Sequence, residues 1–553
     1  MAIPYGFHMA DWQLSTPLAA AALAAMAITL VLLWQLSYVG MRPKGLPPGP
    51  PTLPIIGNLH VMPKSHAWLQ YSKWAKQYGP VFSLILGTKT FIIVTSDKAV
   101  KDLLEKRSRI YSSRPEAYLG WTVLGSGLRM ASMIYGDTWR TSRRLMHNML
   151  NVQAANKYVP YQDLECKQML ADLLDKPDRY ADHIKRFTYS FTAQMVFGFR
   201  TSDIQDPRLV HFYEGFDKFA KIVASQTSAL LDLYPILRWL PEFCLPALME
   251  ARALGRTERA FYSGFWLESK TRIKNGTSTP CFCVGIAKAQ EKEGWSDILC
   301  AYTSGSALEG GSDTTSATLV SFVLAMLLYP EAQKLVRDEI DKVCGDRMPE
   351  LSDAADLPII RAAGKEILRW WPITPFSVPH SNTEEDEYMG YRIPKDSTVL
   401  LNTWGIHFDP DRYANPEAFD PTRFLGDSST SFESATNPDI SKRDHFGFGA
   451  SRRVCQGMHV VDRSLFLAIS RLLWAFEITK ARDENGGEVT PDRMAMDDSQ
   501  VATPSPFLVS IRPRSELKAA VVREAWRECQ ALLDEDKQWK EVPEGIGSGT
   551  WES

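Results

Sequence analysis

The chain predicts a mainly α-helical protein with small β-sheets, preceded by a single N-terminal transmembrane helix. Three observations predict this. No charged residue lies between Trp12 and Met41, and Leu18 to Val39 is almost wholly apolar. Helical spacing of apolar residues dominates from Trp139 to Leu328. Strand-like runs are few and short, at Val81 to Leu86, Phe91 to Val94 and Ile393 to Leu401.

The 22 residues from Leu18 to Val39 would span about 33 Å as a helix, close to the ~30 Å hydrocarbon core of a bilayer. A cleaved signal peptide would need a cationic leading stretch and a shorter apolar run. Arg42 and Lys44 follow the segment, which puts the body on the cytosolic side and the N-terminus in the lumen. Residues 1–41 therefore read as a single-pass anchor, in the endoplasmic reticulum membrane. Leu46-Pro-Pro-Gly-Pro-Pro51 makes residues 42–52 a stiff hinge.

The main body, residues 53–515, begins with a helix from His66 to Tyr78, stopped by Gly79-Pro80. A hairpin turning through Gly87-Thr-Lys-Thr90 follows, and Ser96-Asp97 caps the next helix. Ser112 to Tyr135 carries several glycines and little periodicity, as a long loop over a ligand pocket would. Tyr329-Pro330 ends the longest helix, Arg361 to Trp371 is helical, and Ser428 to Asp444 is a polar connection. Residues 516–553 read as an amphipathic helical extension, Glu516 to Lys540, and a loose tail.

A net charge of −3 with 45% hydrophobic residues is an ordinary globular balance, without the basic excess of a nucleic-acid binder. The eight cysteines show no disulfide-framework spacing, which points to a reducing compartment. Cys281-Phe-Cys283 lacks a second ligand pair and reads as free thiols.

Chemistry concentrates at Phe446-Gly-Phe-Gly-Ala-Ser-Arg-Arg-Val-Cys455-Gln-Gly457, ahead of an apolar helical stretch. The run puts one thiolate at the end of a glycine-punctuated turn, with two arginines just before it. An axial cysteine on haem iron needs this: a sharp backbone turn aiming N–H groups at sulfur, and cations for the two haem carboxylates. Glu366-Ile-Leu-Arg369 places opposite charges on one helix face. Phe419-Asp-Pro-Thr-Arg423-Phe424, Trp139-Arg-Thr-Ser-Arg143 and Glu309-Gly-Gly-Ser-Asp313-Thr314-Thr315 complete the set.

In this order and spacing the five motifs resemble the cytochrome P-450 superfamily of haem-thiolate monooxygenases, over about residues 45 to 515. Lys365-Glu366, Asp444-His-Phe and Cys455-Gln-Gly-Met-His are similar to the membrane-bound fungal enzymes of secondary metabolism. The resemblance implies the cytochrome P-450 fold and haem b with Cys455 as its axial thiolate ligand and metal-binding residue. It implies that Trp139, Arg143, His380 and Arg453 hold the haem propionates, and that Glu366, Arg369 and Arg423 form a buried structural charge network. Asp313 and Thr314 become the catalytic pair that supplies protons as dioxygen is reduced in a dry pocket. Gly310-Gly311 would relax the helix and open room for dioxygen.

The resemblance also implies electrons from NADPH through a membrane-bound diflavin reductase, with cytochrome b5 as a further donor. Arg140, Arg144, Lys442, Arg443 and Arg452 would form the reductase footprint on the cysteine side. The substrate is read as a hydrophobic small molecule, facing segments rich in residues such as Tyr118, Trp121, Phe212, Phe376 and Phe507. Two other readings share the fold: a reductase-independent rearrangement or dehydration, and a non-catalytic haem protein. The Asp313-Thr314 pair argues against both. One departure stands out: Ser451 occupies the place of the motif's second glycine.

Overall fold

The computed structural model describes residues 16–496, 501–544 and 546. Helices α1 (Thr16–Tyr38), α2 (Asp137–Leu150), α3 (Val159–Asp175), α4 (Tyr180–Phe197), α5 (Pro207–Ala224), α6 (Pro246–Lys274), α7 (Asp297–Leu328), α8 (Pro358–Trp370), α9 (Met458–Ala475) and α10 (Glu516–Ala531) carry the architecture. Strands β1 (Val81–Leu86), β2 (Lys89–Val94), β3 (His380–Ser381), β4 (Asp386–Tyr388), β5 (Tyr391–Ile393), β6 (Thr398–Leu401), β7 (Phe476–Lys480) and β8 (Val509–Pro513) form three small sheets. The largest has the order β1-β2-β6-β3, with β6 parallel to β2 and the other pairs antiparallel.

Helix α7 is the central beam. Ser296 caps its start, the hydroxyl accepting from Leu299 N at 3.3 Å. It ends before Pro330, which opens the next helix instead of continuing this one. Its second half is buried nearly all round, packed with α8 and α9 about Trp370, Trp371 and Trp474. Its first half packs against α4 and α6 in a second cluster that includes Trp139 and Tyr302. Gly311 lets α7 lie this close to α4, since a Cβ there would stand 2.7 Å from Thr192 Oγ1.

Ser96 caps a helical stretch as the sequence suggests, its hydroxyl accepting from Ala99 N. The strand β2 begins at Lys89, so the hairpin turn is shorter than expected, confined to Gly87-Thr88. Ser112 to Tyr135 is not all loop. Tyr118–Leu124 forms a short wide helical turn, because Leu119 and Leu124 bury their side chains against α5 and α6. The polar connection 428–444 contains two short helices, Ser431–Ala435 and Ile440–Lys442.

The C-terminal extension is woven into the body. Helix α10 packs on α3, and the next turn reaches α4. Trp539 Nε1 donates to Gln194 Oε1 at 2.7 Å, and Arg200 Nη1 to Lys537 O at 3.0 Å. The residues expected as a loose tail beyond 546 lie outside the described residues, as does the stretch before Thr16.

Candidate active site

Cys455 stands in the link between a one-turn helix (Ser451–Arg453) and α9. Its N–H donates to Phe448 O at 2.9 Å, closing the turn. Gly457 N–H donates to Cys455 Sγ at 3.3 Å, as the notional backbone-to-sulfur contact of a thiolate loop requires. Burial pushes the thiol up, while that N–H and the Arg143 guanidinium pull it down. Gly449 takes φ +73° and Ser451 takes φ +63°. The serine therefore sits in the left-handed region, where a side chain costs roughly 1–2 kcal/mol. Ser451→Gly is expected to raise stability by about 1 kcal/mol and to increase haem retained per molecule. Thermal melting and haem content check this; no gain in either would mean that the turn accommodates serine without strain.

Three guanidiniums crowd the other side of this loop. Arg453 lies 4.1 Å from the Trp139 ring centroid and Arg143 lies 5.6 Å from it. Arg453 Nε donates to Ser112 O at 2.8 Å and Nη2 to Met133 O at 2.7 Å. Arg143 donates to Val454 O. Arg114, which the motif reading did not single out, donates to Ala131 O, Val378 O and Pro379 O. His380, on β3, is buried beside it, its Nδ1 bonded to Tyr111 O at 2.8 Å. Burial, with Arg114 next to it, pushes His380 down to about 3, so the ring is neutral.

Among the described residues no carboxylate pairs with Arg114, Arg143 or Arg453. Burial and mutual repulsion push Arg453 down to about 9, burial pushes Arg143 to about 10, and Arg114 falls well below its usual value. Buried cations answered only by carbonyls fit a dianionic group, and a thiol with a donated N–H beside them fits its metal. The residues present therefore fit haem.

Glu366 and Arg369 are fully buried on α8, joined by two bonds of 2.7 Å. Arg423 Nε lies 3.3 Å from Glu366 Oε2. Arg369 also donates to His407 O, Pro416 O and Ala418 O. His407 extends this network to the cysteine loop: Nδ1 donates to Arg369 O at 2.8 Å, and Nε2 accepts from Phe446 N at 2.7 Å. That pattern fixes a neutral tautomer and ties the helix pair to the entrance of the turn. A lone histidine in Trp404-Gly-Ile-His407 gave the sequence no sign of this.

On α7, Thr314 Oγ1 donates to Gly310 O at 2.6 Å, a bond within its own helix. Asp313 is half-buried and close enough to Tyr213 to add to the upward push that burial gives its phenol. Gly310 faces open space, whereas Gly311 faces Thr192. Of the two glycines only Gly310 offers room. Arg443 differs from its expected place on an exposed cationic face: it is buried and paired with Glu105, because Asn437 O and Glu105 draw it inward. Arg140 and Arg144 are exposed, and with Arg452 they edge a crevice of about 540 Å³ beside Cys455. The aromatic rings expected over a pocket are partly core. Phe376 packs on Trp68 and Tyr71, and Phe507 on Tyr180.

The profile of the Cytochrome P450 family matches residues 47–504. The chain is 50% identical over 520 residues to the cytochrome P450 monooxygenase virE of Hypocrea virens, covering 94% of each. It is 47% identical to the cytochrome P450 monooxygenase fogE of Aspergillus ruber, covering 95% of this chain and 98% of that one. A solved zebra fish cytochrome P450, with abiraterone, shares the fold at a TM-score of 0.65 and 23% identity, over 81% of this chain and all of that one. Such identity along nearly the whole length places the chain in the cytochrome P450 family, monooxygenases whose haem is held by a cysteine thiolate.

Proposed function

We propose that this protein inserts one oxygen atom from dioxygen into a hydrophobic small molecule in fungal secondary metabolism, with Cys455 as the axial thiolate. The unpaired guanidiniums around the Cys455 loop carry the reading. Trp139, Arg143 and Arg453 hold the haem carboxylates, and Arg114 joins them; His380, whose Nδ1–H is taken by Tyr111 O, holds them through Nε2 only as the imidazolium that a carboxylate beside it favours. When bound, haem supplies the iron that activates dioxygen. The chain's own part is to donate charge through Cys455, to orient the group through the arginines, and to move protons through Asp313 and Thr314. The Thr314 hydroxyl is seated on the Gly310 carbonyl, so its oxygen keeps lone pairs free to accept a proton from the Asp313 side while its own hydrogen turns between partners.

Electrons come from NADPH through a diflavin reductase docked over the Cys455 crevice, where exposed Arg140 and Arg144 meet an acidic partner; cytochrome b5 would use the same face. The body sits on the cytosolic face of the endoplasmic reticulum membrane, held by α1 as anchor. Supporting this, α1 is apolar and wholly exposed over Ala20–Tyr38. The turns after α5 also show Trp239 87% and Phe243 79% exposed, and Tyr234 links this region to Ile55 near the anchor's end. Residues 42–52 act as the hinge, and the described part of the extension, 516–544, belongs to the body's packing.

The deciding experiment supplies the haem-loaded protein with a reductase, NADPH and labelled dioxygen, and reads candidate metabolites by mass spectrometry. One labelled oxygen atom in the product is expected. Turnover without label, or without NADPH, would favour rearrangement or dehydration. Thr314→Ala is expected to keep substrate binding but to divert reducing equivalents to hydrogen peroxide, cutting product per NADPH by about 10²-fold. Unchanged coupling would leave Thr314 only its helix bond to Gly310.

A further inference from the structure

The C-terminal strap, residues 516–544, lies beyond residue 504, where the match to the family ends. Its last turn grips α4 from outside. Trp539 packs on Tyr161 of α3, ring centroids 5.7 Å apart, while its Nε1 donates to Gln194 Oε1 on α4. Just past the end of α4, Gln538 Oε1 accepts from Arg200 N at 2.7 Å, and Gln538 Nε2 donates to Arg200 O at 3.0 Å. Beneath this turn Glu165 Oε1 accepts from Ser190 Oγ, Gln194 Nε2 and Arg200 Nε, at 2.8, 2.7 and 2.6 Å. Glu165 and Gln194 are buried, so these bonds are made out of reach of water.

The opposite face of α4 meets the oxygenase site. Two residues along an α-helix turn the side chain through about 200°, and four return it to the same face. Ser190 and Gln194 face Glu165 and the strap, so Thr188 and Thr192 face the other way, towards α7. Thr192 packs directly on Gly311, which has no room for even a Cβ. Thr188 lies beside the Tyr213 phenol, which in turn stands by Asp313 and Ser316. The stretch of α7 seated on this face is thus the one that holds Gly310, Asp313 and Thr314.

We propose that the strap is a positioning element for the oxygenase site: by holding Gln194, Trp539 presses the Thr188–Thr192 face of α4 against Gly311 and sets where Asp313 and Thr314 stand. This rests on the proton-moving role proposed for that pair. A cover that only shielded apolar surface would need the Trp539 ring, but not its bond to a buried amide. Removing the donor leaves Gln194 Oε1 unanswered and frees α4 on the side away from α7.

The test compares two variants of the haem-loaded full chain. Trp539→Phe keeps a ring on Tyr161 and removes the donor. Val522→Ala thins the packing beneath α10 and leaves the Trp539 bond in place. Hydrogen exchange is read by mass spectrometry. In Trp539→Phe the amides of 309–316 should exchange about 10-fold faster, while those of 320–328 keep their rate. Product per NADPH, on the metabolite that gains the labelled atom, should fall about 10-fold, less than in Thr314→Ala, since the pair is displaced and not removed. Haem content should stay the same. Val522→Ala should lower the melting temperature and change neither readout. Unchanged exchange at 309–316, faster exchange with unchanged product per NADPH, or equal effects in Val522→Ala would overturn the proposal. Thr314→Ala separates it from the reading beneath it: lost coupling there with none in Trp539→Phe overturns the strap's role alone, and lost coupling in neither overturns both. Should Trp539→Phe fold poorly, Thr192→Ser, which keeps the bond to Thr188 O and takes the methyl off Gly311, must reproduce the faster exchange, or the proposal falls.

Discussion

Exchanging Cys455 for serine is expected to reduce product formation to background while the protein stays folded. The backbone contacts that shape the loop, Cys455 N to Phe448 O and Gly449 N to Phe446 O, do not involve the sulfur. The loss of one polarisable atom at a half-buried site costs little, about 1 kcal/mol or less. A serine hydroxyl does not ionise near neutrality and cannot supply a thiolate's electron density. Product yield by mass spectrometry and a thermal melt separate the two effects. Turnover that survived the substitution would place the iron on another residue.

Glu366→Ala is expected to act differently, through the fold. The substitution strands Arg369 and Arg423 without their carboxylate, and Arg369 is fully buried. Removing one partner of a buried pair costs about 3–5 kcal/mol, a large share of a domain's stability. The loss should spread to the cysteine loop, because Arg369 O holds His407 and His407 holds Phe446 N. Lower melting temperature and lower haem content should therefore appear together, and Arg369→Ala should reproduce both. A Glu366→Ala protein as stable as the wild type would mean that the three carbonyls around Arg369 suffice to hold it.

Which features could be read from the sequence follows from the range of the interactions that make them. The Glu366–Arg369 pair, the Ser96 cap and the end of α7 at Pro330 depend on neighbours three or four residues apart, so spacing reveals them. The positive φ of Ser451 was legible for the same reason, since a serine in a glycine's place marks a strained turn. Arg114 and His407 were not, because their meaning comes from partners far along the chain: Val378, 264 residues on, for the first and Phe446, 39 residues on, for the second. Arg443 looked like a surface cation until Glu105, far upstream, drew it in. Glu516 to Lys540 reads as one amphipathic helical extension, yet its helix ends at Ala531 and Trp539 finds Gln194 in the body. Amphipathic periodicity shows that a face will be covered, and not by what. Glu309 opens a motif the sequence displays, but its buried pairing with Arg129, which also holds Glu258, joins segments far apart along the chain and has no linear signature.

The most direct measurement is the absorbance spectrum of the reduced protein under carbon monoxide, for the wild type beside Cys455→Ser. The wild type should give the red-shifted band of a thiolate-ligated haem, and the serine variant, at matched protein concentration, should lack it. A wild-type protein that binds haem without that band, or a serine variant that keeps it, would contradict Cys455 as the axial ligand.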